Sequence, residues 1–173
     1  MTTNSVKPKT ASGRYTTSVN ETFKQHVESL HPSFERLMAM RPANVCSLPS
    51  LIPECGVYLF SEGADHLYVG RTNRLRSRLQ EHCRRGSTHN SAPFAFILAR
   101  KASGRVNATY QSSGSRAELE KDPTFRETFV LAKDRIARMD VRFVEERDPL
   151  RQALLEMYVS IALQTPHNSF DNH

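Results

Sequence analysis

The stretch from Gly56 to His82 constrains this chain more than any other. Gly56-Val57-Tyr58-Leu59-Phe60 is a short apolar and aromatic run that reads as a strand. Ser61 to Asp65 reads as a turn, and His66-Leu67-Tyr68-Val69-Gly70 as a second strand, so the pair makes a hairpin. An amphipathic helix is expected over 73–85, with Asn73 as its N-cap and Gly86 as its stop. At about 100° per residue, Leu75, Arg78, Leu79 and His82 share one face of that helix. The leucines should dock the face on the sheet. Arg78 and His82, one turn apart, then lie at the edge of the core.

The flanking segments are simpler. Residues 1–20 are rich in Thr, Ser, Asn and Lys and read as a flexible arm. Residues 21–50 form an N-terminal helical extension: Phe23, Val27, Leu30, Phe34, Leu37 and Met38 recur at helical spacing, with Pro32 marking a break. Residues 41–53 read as an extended, proline-punctuated entry. Ser91 and Pro93 suit the start of a helix, with a strand as the competing reading for Phe94 to Leu98. A polar loop is expected over 103–122. A helix should carry Phe125, Phe129, Ala132 and Ile136, and Val141 to Val144 should form a third strand. Asp148 and Pro149 open a last helix running to about Leu163, before Pro166. The expected architecture is α/β (α+β): a small three-stranded sheet flanked by helices, in a domain over 51–170 with a helical insertion over 101–138.

Hydrophobic residues make up 38% of the chain, enough for a folded core, and no run of about 18 apolar residues would span a membrane. Residues 1–14 lack the apolar centre of a secretory signal. Cys46, Cys55 and Cys83 are unclustered, which argues against a zinc site or a disulfide framework and makes a cytoplasmic location the default. Lys plus Arg exceeds Asp plus Glu by 24 − 18 = 6, which suits a polyanionic partner. Arg71, Arg74, Arg76, Arg78, Arg84 and Arg85 fall within fifteen positions. A phosphate-facing surface is expected there in preference to a merely solvated helix face.

Side-chain chemistry points to the same region. If the strands pair in the simple register, Tyr58 and Tyr68 both lie near the start of the Arg78 helix. Gly70 leaves room for a phosphate or another backbone, and Arg71 and Thr72 add a cation and a hydroxyl. Far along the chain, Glu156 is the one carboxylate between Leu150 and Leu163. It flanks an expected buried stripe of Leu150, Ala153, Leu154, Met157 and Ile161. A charge in that setting needs a partner, either an arginine or a metal ion.

Taken in order, Gly56-Val57-Tyr58, Tyr68-Val69-Gly70, Arg78 eight positions after Gly70, His82, and then Glu156, Pro166 and Asn168 resemble the GIY-YIG nuclease superfamily. The likeness covers roughly residues 55 to 100 and 140 to 168. It implies a metal-dependent endonuclease acting on DNA, with Tyr58, Tyr68, Arg78, His82 and Glu156 as the catalytic set. By this resemblance Tyr58 activates water or lies against the scissile phosphate, assisted by His82. Tyr68 contacts phosphate or aligns Tyr58, and Arg78 stabilises the developing charge. Glu156 is the single protein ligand of Mg²⁺ or Mn²⁺. Substrate binding falls to Gly70, Arg71, Thr72, Asn90 and Asn168. The chain departs from the compact family pattern in its 101–138 insertion, its N-terminal arm, and Arg71 directly after the glycine.

The competing readings are a nucleic-acid-binding module that keeps the fold without the activity, and an α/β interaction domain whose basic helix is merely solvated. Monomer and homodimer are both compatible with the sequence.

Overall fold

The computed structural model describes residues 19–105 and 115–168. Except for Val19 and Asn20, the expected arm lies outside the described residues. The chain is mixed α/β. Helices α1 (Glu21–Glu28) and α2 (His31–Ala39) precede a two-residue strand β1 (Ala43–Asn44). The hairpin follows as β2 (Gly56–Glu62) and β3 (Asp65–Thr72), then α3 (Leu75–Cys83) and α4 (Pro93–Ala102). A short α5 (Arg116–Leu119), α6 (Pro123–Ile136), β4 (Asp140–Glu145) and α7 (Pro149–Leu163) complete the order.

The sheet has four antiparallel strands in the order β1-β4-β2-β3, not the three expected. The addition, β1, pairs Ala43 with Val141 and Asn44 with Asp140 at the edge of β4. Two residues cannot show the period-2 alternation that marks a strand, so backbone pairing alone makes this one. The other short element, α5, replaces part of the expected loop. Ser115 caps it by accepting from the Glu118 amide, a Ser-x-x-Glu start that the sequence does display.

β2 is the central strand and is buried on both faces. Tyr58 and Phe60 point to one side and join Leu75 and Leu79 of α3, Phe94 and Phe96 of α4, and Phe125, Phe129 and Ile136 of α6. The helical insertion is thus part of this core. Val57 and Leu59 point to the other side, with Val69, Val144, Leu155 and Val159. Leu30 and Leu37 of the N-terminal extension are buried in that second layer.

α7 turns a different face inward from the one expected. Leu150, Met157 and Ile161 are exposed, while Gln152, Leu155, Val159 and Ser160 are buried. The helix is apolar on both sides, so its period fixes the spacing of the stripe without choosing which stripe packs. The expected cap of α3 also differs. Asn73 accepts a hydrogen bond from Gln152 at 3.1 Å, and the helix begins after Arg74, whose amide donates to Thr72 Oγ1. α4 is the helix of the two competing readings; it starts from Ala92, with no side-chain cap from Ser91. Asp148 caps α7 as expected, its carboxylate accepting from the Arg151 amide.

Two glycines hold the hairpin's register. Gly56 has φ +152°, and a Cβ there would strike the Val144 carbonyl of the neighbouring strand. Gly70 pairs with Tyr58 across the ladder, and a Cβ on it would meet the Tyr58 phenol, with ring carbon Cζ at 2.5 Å. The space at Gly70 therefore holds an aromatic ring of this same chain. Gly70→Ala should lower the unfolding free energy by about 1–3 kcal/mol through overpacking. Gly86→Ala, with nothing near its Cβ position, should stay within about 0.5 kcal/mol. Equal costs in urea unfolding would contradict this packing.

Candidate active site

Four of the expected residues meet where β2 and β3 face α3. The Tyr58 hydroxyl lies 2.7 Å from His82 Nε2. The Tyr58 and Tyr68 rings are 6.4 Å apart, and Tyr68 lies 5.8 Å from the His82 ring. The pairing Tyr58↔Gly70 and Phe60↔Tyr68 puts both phenols on the α3 side of the sheet. The register slips by one beyond Phe60, so Leu67 is the extra residue and turns into the same core as Tyr68. Arg78 stands one turn before His82 and interacts with both phenols. Its guanidinium also donates to the Ser91 carbonyl at 3.0 Å and pairs with Glu81 at 3.4 Å, which fixes its direction. Phe94 stacks on Tyr68 with centroids 4.6 Å apart and planes at 7°. The sequence reading missed Phe94, Glu81 and Ser91 as supports; only the α3 spacing, which puts Glu81 three residues after Arg78, hinted at one of them.

Burial sets the protonation states. Tyr58 is 1% exposed, and burial, reinforced by the nearby Tyr68, raises its pKa well above the ordinary phenol value against the pull of Arg78. Burial and Glu156 push Tyr68 up to about 12. His82 is completely buried, and burial with the Arg78 charge lowers it to about 3, so it is neutral at pH 7. Its Nδ1 has no hydrogen-bond partner among the described residues. A buried N–H without an acceptor is more costly than a bare lone pair, which favours the ring proton on Nε2. Nε2–H then donates to the Tyr58 oxygen, and the nearby Arg78 charge pulls the phenol pKa down against burial.

Glu156 approaches from α7. It is half-buried, and burial raises its pKa while Arg71 opposes the shift. Arg71 Nε donates to Glu156 Oε2 at 3.0 Å. Arg71 is thus the arginine partner that the sequence allowed. The field of Glu156 reaches both Tyr58 and Tyr68, so it belongs to the same group. Among the described residues, no three His, Cys, Asp or Glu side chains stand together as metal ligands.

The remaining expected residues lie outside this cluster. Asn168 accepts from the Val69 amide at 2.9 Å and donates to the Val69 carbonyl at 2.8 Å, sealing the free edge of β3 like a strand residue. Thr72 holds the turn into α3, and Asn90 is exposed before α4. The clustered arginines are held in different ways. Arg76 clamps the Ser50 carbonyl at 3.0 Å, Arg85 pairs with Asp134 at 2.9 Å, and Arg78 is turned inward. Arg71, Arg74, Arg84 and Arg85 are exposed.

The chain matches no protein-family model, no curated protein and no solved structure. No helix among the described residues is long and apolar enough to cross a membrane.

His82 makes a testable demand on stability. It stays neutral in the fold to about pH 3, whereas an unfolded chain protonates it below its ordinary 6.5. Stability therefore falls as pH drops from 6.5 towards 3. Between pH 6.5 and about 5 its share is about 2 kcal/mol. Urea unfolding of His82→Gln should show an acid dependence shallower by that amount; an unchanged slope would mean that His82 is protonated in the fold.

Proposed function

We propose that this chain is a metal-dependent endonuclease of the GIY-YIG type that hydrolyses phosphodiester bonds in DNA. The observation that carries the reading is the convergence of Tyr58, Tyr68, Arg78, His82 and Glu156, drawn from two strands and two distant helices. A core has no packing need for two phenols, a histidine, an arginine and a carboxylate together, and such groups are costly to bury.

Each group has a task in water attack on phosphorus. Tyr58 takes the proton of the attacking water, for which its oxygen must first be a phenolate. The N–H of His82 and the positive charge of Arg78 favour that form. Arg78 also neutralises charge on the pentavalent phosphorus. Tyr68, stacked on Phe94, keeps Tyr58 in place. A metal ion fits Glu156 in one respect: Oε1 has no protein partner among the described residues, whereas Oε2 accepts from Arg71. Mg²⁺ commonly binds through one carboxylate, with water and substrate phosphate completing its shell. It would polarise the phosphoryl group there as a Lewis acid.

A second reading is a DNA-binding module that does not cleave. The burial of Tyr58 and the Arg71–Glu156 ion pair favour it, because both must rearrange before chemistry.

Plasmid nicking with Mg²⁺ separates the two. Wild type should nick, and Glu156→Gln should lose about 10²-fold or more. Binding without nicking at any Mg²⁺ or Mn²⁺ concentration would establish the non-cleaving reading. Because the Tyr58 pKa is raised and His82 stays neutral, log rate should climb with a slope of about one from pH 7 to 9 and show no inflection near 6.5. A plateau beginning near neutral pH would remove Tyr58 as the base.

A further inference from the structure

The Arg71–Glu156 pair has a structure of its own. Glu156 is a half-buried carboxylate on α7, and Arg71 is the one cation bonded to it among the described residues. Arg71 stands on β3 directly after Gly70, and its side chain is 47% exposed. Only its Nε–H is engaged among the described residues, so both terminal amino groups of the fork are unpaired. Neighbouring arginines are held more firmly. Arg78 lies between the Ser91 carbonyl and Glu81, and Arg76 holds two backbone carbonyls. Arg71 is therefore the cation at this site that is free to swing without breaking the fold, and an open guanidinium fork suits a phosphate.

We infer that Arg71 is an internal counter-ion that blocks metal binding at Glu156 until a DNA phosphate draws it away, so that metal and DNA bind this site cooperatively. The inference rests on the reading of Glu156 as the metal ligand. A guanidinium on Oε2 and a divalent cation on the same carboxylate repel each other, so without DNA the metal must displace Arg71 into water. A backbone phosphate offers Arg71 a bidentate partner and leaves the carboxylate to the metal. Coupling of this kind is reciprocal: metal tightens DNA by the factor that DNA tightens metal.

The experiment is Mn²⁺ binding to the full chain, followed by electron paramagnetic resonance, with and without a short phosphorothioate duplex. Wild type should bind Mn²⁺ weakly alone and about tenfold or more tightly with the duplex. Arg71→Gln should bind Mn²⁺ more tightly than wild type in the absence of DNA, and should gain less from the duplex than wild type does. Arg71→Lys, which keeps the charge, should keep the suppression, and Glu156→Gln should bind under neither condition. Equal Mn²⁺ affinity of wild type with and without duplex, or Arg71→Lys behaving as Arg71→Gln, overturns the counter-ion while leaving Glu156 as a ligand. Mn²⁺ binding undiminished in Glu156→Gln, or absent from every variant with duplex present, overturns the metal reading and the inference together.

Discussion

The Tyr58 phenol lies across Gly70 and ends on His82 Nε2, and the hairpin, the docking of α3 and the candidate chemistry all depend on that contact. Without a glycine at position 70 the ring has no room. Without the ring, the completely buried His82 has no side-chain hydrogen-bond partner among the described residues, because its Nδ1 already lacks one there. Leu75 and Leu79 press the same helix face onto the sheet, so apolar packing and the polar contact reinforce each other.

The cost of this arrangement explains its electrostatics. A buried phenol resists ionisation and a buried imidazole resists protonation, so both rest neutral. The charges stay at the rim, where Arg71 meets Glu156 and Arg78 meets Glu81. The neutral interior is stable as it stands, and the charged rim is where a polyanion would first act.

Much of this was legible in the sequence because the relevant spacings are local. The hairpin, the shared face of Arg78 and His82, the Asp148 cap and the α6 stripe follow from periods of two and 3.6 and from turn chemistry. What was hidden depends on distant partners. β1 exists only through β4, and α7 offers two apolar faces between which period cannot choose. Gly70 gives no sign of whether its space belongs to a ligand or to Tyr58. Asn168 looks free until its amide is seen against Val69, and Asn73 looks like a cap until Gln152 reaches it. Burial of Glu156 was legible; the identity of its partner was not.

The central claim is that this cluster breaks phosphodiester bonds through the Tyr58 oxygen, and Tyr58→Phe removes that atom alone. Single-turnover cleavage of a defined duplex, with thermal unfolding measured alongside, tests it most directly. The expected outcome is a loss of at least about 10²-fold in rate with the fold retained. Cleavage by the folded variant at the wild-type rate would contradict it.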